Sequence, residues 1–122
     1  FIKDINIMTD CIFCKIAKRE IKSEFAGESD NFFAIRDIHP KAEGHTLIVP
    51  KKHFVTILDI PNKLGNELLN FIKKIASDLL ENKHGNGFNI LMNNLEPAGQ
   101  AVKHAHIHII PRKEDDGLRI IS

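Results

Sequence analysis

The sequence has little that could cross-link the chain or anchor it. Its 122 residues contain no Trp, no Tyr and only two cysteines, Cys11 and Cys14, which are too close together to staple a fold. This spacing excludes a disulfide scaffold of the secreted kind. No apolar run approaches the roughly 20 residues that cross a bilayer, and no charged and then apolar leader with a cleavage site is present. We therefore expect a cytoplasmic protein with no membrane partner.

The chain also lacks an excess of either charge. Seventeen Lys and Arg face sixteen Asp and Glu, a formal net charge of +1, so we expect no nucleic-acid polymer as partner. An anionic ligand has to be held by local geometry instead. The length and the 43% of hydrophobic residues are those of one folded domain. We expect that domain over residues 8–122, and residues 1–7 to be a flexible leader or an appended segment.

The pattern of apolar residues predicts an α+β domain. Five apolar residues repeat at helical spacing and predict one long helix over residues 61–83, stopped by residues 84–87: Leu64, Leu68, Ile72, Ile75 and Leu79. A short helix is predicted within residues 15–21. Strands are predicted at residues 25–28, 31–37, 45–49, 88–92 and 104–110, the third and fifth being closed by prolines. Because only one long helix is available, we expect a largely antiparallel sheet of about five strands.

Three of the seven histidines alternate with apolar residues near the end of the chain. His104, His106 and His108 are separated by Ala105 and Ile107. On a strand the apolar residues enter the core and the imidazoles share the other face, roughly 6.5 Å apart. Two chemistries fit such a row. A metal could be held by two imidazoles and a third ligand, or the middle imidazole could attack phosphorus while an outer ring holds the phosphate.

The loop ahead of the row favours the second chemistry. Residues 96–102 contain Gly99 and small neighbours, which let backbone N–H groups approach an anion, and the Gln100 amide is a further donor. Such a loop, leading directly into a row of imidazoles, is typical of a phosphate cradle beside its attacking group. The sequence therefore predicts a phosphate-binding site at the start of the last strand.

Residues 99–110 carry a resemblance to a known family. Gly-Gln-Ala-Val-Lys-His-Ala-His-Ile-His-Ile-Ile at positions 99–110 resembles the histidine triad (HIT) signature. Further motifs fall in the family's order: Asp10 to Ile16, Asp37-Ile38-x-Pro40, Gly44 to His53, and Asn93. The chain is similar to Hint and to the bacterial and archaeal Hit-like branch with a Cys-x-x-Cys zinc half-site. The resemblance implies the HIT fold, a homodimer, and a hydrolase or transferase that binds a purine nucleoside phosphate.

The resemblance also implies roles for single residues. His106 corresponds to the nucleophile that takes the α-phosphate of a nucleoside phosphoramidate or dinucleoside polyphosphate and forms a nucleotidyl-histidine. Gln100 and His108 would hold phosphate oxygens, and Asp37 would accept from the ribose hydroxyls. The remaining positions implied for the catalytic row, the phosphate site and the apolar base slot are His104, His45, Asn93, Gly99, Ala101, Val102, Ile12, Phe13 and Ile38. Ala101 stands where many members have a hydroxyl that reaches the leaving group, so that assistance must come from elsewhere.

Cys11 and Cys14 predict a metal half-site rather than a redox pair, because no strand precedes them. Zinc needs two more ligands, and the resemblance implies His53 and His104, which would complete a closed Cys₂His₂ structural site. No organic cofactor is expected. Unmetallated thiols remain the alternative interpretation.

Two other functions stay open at this point. The histidine row could bind a catalytic zinc in a metal-dependent hydrolase, or the chain could be a nucleotide-binding regulatory module with little turnover. Arg112, just past the row, could contact a distal phosphate, and we expect the acidic run at residues 114–116 to be exposed tail.

Overall fold

The sheet forms the centre of the molecule. A computed structural model describes residues 10–120. The expected domain start at residue 8 and the expected leader at residues 1–7 therefore lie outside the described residues. The five strands are β1 (Phe25–Glu28), β2 (Phe32–Arg36), β3 (Thr46–Pro50), β4 (Gly87–Leu91) and β5 (Ile107–Arg112). They lie in the order β1-β2-β3-β5-β4, and every neighbouring pair is antiparallel. The predicted α+β class and its antiparallel sheet are confirmed.

Successive side chains of a strand point to opposite faces, so the sheet has two apolar faces to bury. One helix covers each face. The long helix α2 (Gly65–Glu81) buries Phe71, Ile75 and Leu79 against one face. The short helix α1 (Ile12–Ala17) buries Phe13 and Ile16 against the other. Strand β2 supplies both clusters alternately and is buried over four consecutive residues. This arrangement places the Cys-x-x-Cys segment on the face opposite α2. Within residues 10–120, no helix has the length and apolar character needed to cross a membrane.

The helix ends differ from the predicted ones. The long helix begins at Gly65, because residues Asn62–Leu64 form a separate 3₁₀ turn. It stops one turn earlier than its predicted glycine signal, since Lys83 adopts a left-handed φ of 62°. The N–H of Lys83 then donates to the carbonyl of Leu80 at 3.1 Å, and the N–H of His84 donates to the carbonyl of Leu79 at 3.0 Å. The short helix starts at Ile12, earlier than predicted, where burial of Phe13 begins.

The last strand is shifted relative to its prediction. It begins at Ile107 instead of residue 104 and continues through Pro111 to Arg112. Before Ile107 the backbone leaves the ladder, because the N–H of Ala105 donates to the carbonyl of Phe54 at 2.6 Å. Pro111 is tolerated because the pairing of β5 with β3 stops at Ile109, so β3 offers no partner that would need an N–H from the proline. At this position β5 pairs with β4 alone.

Candidate active site and metal centre

Five imidazoles, linked through Phe13, form a continuous run of ring contacts on the α1 side of the sheet. The ring centroids of His53 and His104 are 4.8 Å apart, those of His106 and His108 are 5.1 Å apart, and those of His108 and His45 are also 5.1 Å apart. Phe13 joins the two halves, at 5.6 Å from His104 and 5.0 Å from His106. His104, His45 and His106 are buried, whereas His53 and His108 are half-buried, so the run is not an exposed row.

The backbone fixes the tautomer of His106. Its Nδ1 lies 2.7 Å from the carbonyl oxygen of His104. A carbonyl can only accept, so Nδ1 must carry the proton and donate it. In the tautomer that this bond selects, the lone pair is on Nε2. An imidazole held in this way directs its nucleophilic nitrogen away from the carbonyl.

A second chain of hydrogen bonds fixes the tautomers of His45 and His108. The N–H of Lys41 donates to Nδ1 of His45 at 3.0 Å, so His45 carries its proton on Nε2. That proton is donated to Nδ1 of His108 at 2.9 Å, with a carboxylate oxygen of Asp37 at 3.5 Å. His108 in turn carries its proton on Nε2. Two neighbouring imidazoles thus offer opposite functions, a lone pair on His106 and a donor on His108.

Burial keeps His45 and His108 neutral. Desolvation lowers the pKa of His45 below its usual value. Desolvation, reinforced by the neighbouring imidazoles of His106 and His45, lowers the pKa of His108 to about 4. A neutral ring with one proton is what the hydrogen-bond chain requires, so the pKa directions and the geometry agree.

A cavity of about 450 Å³ opens beside His108. Its walls include Asp37, His45 and Asn93, three of the residues that the sequence assigned to nucleotide binding. One carboxylate oxygen of Asp37 accepts from the N–H of His39 at 2.9 Å, which holds the side chain in place. The structure therefore brings the expected ribose acceptor and the expected phosphate donor to one cavity.

Gln100 is placed differently from its expected role at the phosphate. The side chain is buried, and its carboxamide bridges two loops. Its Oε1 accepts from the N–H of Leu95 at 2.7 Å, and its Nε2 donates to the carbonyl of Val55 at 2.6 Å. One N–H of the amide remains for a substrate. Next to it Gly99 has a φ of 93°, a conformation that favours glycine, and Ala101 is exposed.

The three residues expected to form the base slot have different environments. Ile38 is 78% exposed and Ile12 is 41% exposed, which is high for large aliphatic side chains. Phe13 is buried in the α1 cluster, and Val102 packs against the same cluster. Ile12 and Ile38 are thus accessible to a ligand, whereas Phe13 packs against the histidine rings.

Cys11, Cys14, His53 and His104 converge on one point. The Sγ of Cys11 is 3.2 Å from Nδ1 of His104, the Sγ of Cys14 is 3.3 Å from Nδ1 of His53, and the two Nδ1 atoms are 3.1 Å apart. All four ligand atoms lie within 4.8 Å of one another. Tetrahedral zinc ligands at ordinary bond lengths are roughly 3.3–3.8 Å apart. The four residues therefore have the spacing of a closed zinc site.

The hydrogen bond behind His104 suits a metal ligand. Its Nε2 donates to the carbonyl of Pro50 at 2.8 Å, which leaves the lone pair of Nδ1 facing the sulfur atoms. Burial, reinforced by Cys11, raises the pKa of Cys14 to about 11. A cation is the group that would hold these buried sulfurs as thiolates. The donor set, its spacing and the supporting carbonyl all fit zinc.

A second group of donors, formed by Asp37, His45 and His108, does not fit a metal equally well. The ring nitrogen of His45 that faces His108 must carry a proton, because its other nitrogen accepts from Lys41. A protonated nitrogen cannot ligate. Since His104 faces the cysteines and His106 donates to a carbonyl, the triad is divided between two tasks and does not converge on one catalytic metal.

Sequence reasoning missed part of the cavity wall. Lys41 and residues 118–120 line it, and the sequence assigned none of them to the site. Arg112 was considered as a phosphate ligand, but its guanidinium is bonded to Asn89, Asp116 and the carbonyl of Leu118. The i,i+4 spacing of Arg112 and Asp116 was the available signal, and it is weak outside a helix.

This chain is similar in sequence and in fold to known proteins. Residues 18–115 match the model of the HIT domain family. A HIT-like protein of Methanocaldococcus jannaschii is 45% identical over 109 residues, which cover 88% of this chain and 82% of that protein. The adenosine 5′-monophosphoramidase of Saccharomyces cerevisiae is 39% identical over 112 residues, covering 92% of this chain and 68% of that enzyme. A Zn-bound histidine triad family protein from Mycobacterium smegmatis has a TM-score of 0.85 at 34% identity, covering 92% of this chain and 81% of that one.

Proposed function

The chain belongs to the HIT domain family, and on that premise we propose that it is a nucleotide hydrolase or nucleotidyltransferase acting at the α-phosphate of a purine nucleoside phosphate. The observation that carries the proposal is the hydrogen bond from Nδ1 of His106 to the carbonyl of His104, which leaves Nε2 as a nucleophile. A relative named as an adenosine 5′-monophosphoramidase supports a phosphoramidate as substrate class.

The proposed reaction has two displacements at phosphorus. Nε2 of His106 forms a bond to the α-phosphorus while the bond to the leaving group breaks, and the leaving group departs with the electron pair and takes up a proton from water. Water then attacks the nucleotidyl-histidine, its proton passes to solvent, and the N–P bond breaks to restore neutral His106. The N–H on Nε2 of His108 donates to a phosphate oxygen and stabilises its developing charge.

The substrate is proposed to lie across the exposed mouth of the site. Asp37 accepts from the ribose hydroxyls, and Asn93 borders the phosphate, since both line the cavity beside His108. Ile12 and Ile38 contact the base, which would explain why two large aliphatic side chains are exposed. Gln100 uses its free N–H toward the phosphate, while its other bonds hold the loop of Gly99 in position.

We also propose that Cys11, Cys14, His53 and His104 bind a structural zinc ion. Their spacing and the Pro50 carbonyl behind His104 support the assignment, as does the solved Zn-bound relative. The ion would tie α1 to the residue whose carbonyl orients His106, without contact to the substrate.

The edge of the sheet supports the proposal of a homodimer. Within residues 10–120, strand β4 pairs with β5 alone and lies at one edge of the sheet. Its residues Phe88, Ile90 and Leu91 are 39%, 54% and 36% exposed, an apolar edge that a second copy could cover. Light scattering should give twice the chain mass, and Ile90→Lys should reduce it to one chain mass. An unaltered chain that stays monomeric would remove this part of the proposal.

A cytoplasmic location remains an expectation from the sequence.

The central test uses His106→Asn, which keeps a polar N–H donor in place of Nδ1 but removes the attacking nitrogen. Turnover of adenosine 5′-phosphoramidate should fall by at least about 1000-fold, while AMP binding changes by less than about threefold. Intact mass of the unaltered protein during turnover should reveal a nucleotidyl adduct. Activity that is lost with a chelator and shows no adduct would favour the metal-dependent hydrolase. AMP binding without turnover would favour the regulatory module.

The metal proposal has a separate test. Freshly purified protein should contain about one zinc per chain by elemental analysis. Cys14→Ser should lose the zinc, whereas Lys15→Ser, at the half-buried neighbouring position of the same helix, should keep it. Zinc-free protein with two freely alkylated thiols would contradict the proposal.

A further inference from the structure

The segment after β5 is held by a single guanidinium. Arg112 donates from Nε to Asp116 at 2.8 Å and from Nη2 to the other carboxylate oxygen at 3.0 Å. Its Nη1 donates to the side chain of Asn89 at 2.7 Å, which anchors the arginine on β4. Nη2 also donates to the carbonyl of Leu118. A bidentate pair with two further acceptors fixes the direction in which the chain leaves the sheet.

Asp116 completes the turn. Its carboxylate accepts from the N–H of Lys113 at 3.2 Å and from the N–H of Leu118 at 3.0 Å. The chain reverses through Asp115 and Gly117, which have φ values of 56° and 73°. The side-chain pair and the turn therefore return the following residues toward the histidines.

The returned residues form one wall of the cavity beside His108. Leu118, Arg119 and Ile120 line it together with Asp37 and His108. Leu118 and Ile120 are only half-buried, so they present apolar surface to the cavity and are not packed into the core. Among the described residues that line the cavity, Lys41 and Arg119 are cations and Asp37 supplies the one carboxylate. An anionic ligand with an apolar or sugar surface suits this combination.

We propose that Arg112 and Asp116 are positioning residues that hold residues 118–120 as a wall contacting the nucleotide substrate, so that this segment sets nucleotide affinity. The inference rests on the proposed function, since it assigns part of the same binding site. The wall touches the sugar and phosphate side of the ligand, because it shares the cavity with Asp37 and His108. The chemistry at His106 is not altered, because His106 is oriented by the carbonyl of His104 and not by this segment.

The test compares Asp116→Ala with Asp78→Ala. Asp78 forms an exposed i,i+4 ion pair with Lys74 at 3.2 Å, so its loss is a matched control. Asp116→Ala should raise the KM for adenosine 5′-phosphoramidate and the Kd for AMP by about tenfold, with kcat within about twofold of the unaltered enzyme. Leu118→Ala should raise both constants in the same direction while leaving the Arg112–Asp116 pair intact. Asp78→Ala should change neither.

The outcomes separate the two proposals. If the unaltered chain binds AMP and both Asp116→Ala and Leu118→Ala keep its Kd, the wall does not contact the nucleotide and this inference is wrong. A fall in kcat without a change in KM would also overturn it, because the segment would then act on the chemistry. If the unaltered chain neither binds AMP nor hydrolyses the phosphoramidate, the proposed function fails, and the inference fails with it.

Discussion

Gly44 sits at the point where the loop before β3 packs against the end of α2, and replacing it with Ala should destabilise the fold. Its φ is 84°, in the region that L side chains rarely adopt. A Cβ at this position would lie 2.9 Å from Cγ, 3.0 Å from Cβ and 3.1 Å from Nδ1 of His84. The added methyl group therefore meets both backbone strain and a steric clash.

The two effects can be sized separately. A left-handed conformation costs a residue with a Cβ roughly 1–2 kcal/mol. Overpacking against a neighbouring side chain costs typically about 1–3 kcal/mol. The His84 side chain is 24% exposed and can move outward, at the expense of its 3.3 Å contact with Glu43, so the lower half of the second range applies. We expect Gly44→Ala to lower the free energy of unfolding by about 3 kcal/mol.

Urea unfolding and a double-mutant cycle with His84→Ala measure this directly. Removing the imidazole relieves the clash but not the backbone strain, so the double variant should be more stable than the sum of the single losses by about 1–2 kcal/mol. A chain of this size should lose roughly 10 °C of Tm in Gly44→Ala. Additive losses, or a neutral Gly44→Ala, would refute the reasoning.

Three further predictions concern other parts of the molecule. Lys83→Gly should raise the free energy of unfolding by up to about 1 kcal/mol, because glycine adopts the left-handed φ of 62° without strain; the urea midpoint measures it. The folded-state pKa of His108, about 4, lies below its ordinary value, so the unfolded chain takes up this proton first as the pH falls. Stability from this group should be complete above pH 6.5 and decline toward pH 4 by less than about 1.4 kcal/mol per pH unit, and His108→Asn should flatten that part of the profile. Gln100→Glu should cost about 2–4 kcal/mol in thermal or urea unfolding, because one carboxylate oxygen would face the carbonyl of Val55 in a buried site, whereas the bond from Leu95 could persist.

The parts of the fold that depend on side-chain periodicity were predictable. Ile75 and Leu79 identify α2 because burial of one helix face requires that spacing, and the alternation around Ile107 identifies β5. The start of β5 was not predictable from alternation, because the pattern continues back to His104 while the ladder does not. There the backbone N–H of Ala105 bonds to the carbonyl of Phe54, and the imidazole of His104 bonds to the carbonyl of Pro50; no local pattern encodes either partner.

The candidate site divides in the same way. His106 and the four metal donors, of which Cys11 is one, were named from residue type and resemblance. The structure brings the four donors together. The wall at residues 118–120 was not named, because it depends on a turn set by one long-range hydrogen bond, from Arg112 to Asn89, and one local ion pair, between Arg112 and Asp116. A charged run after the last strand has no periodicity to show that it folds back.

The protons of three imidazoles are assigned by main-chain groups: the carbonyls of His104 and Pro50, and the N–H of Lys41. No substitution removes a carbonyl, and only a proline removes an N–H. The tautomer of His106, the proposed nucleophile, therefore depends on the path of the backbone and not on the surrounding side chains. Substitutions at Ala101, at the proposed base contacts or at the wall beside His108 could change the substrate without altering the proton position on the proposed attacking imidazole.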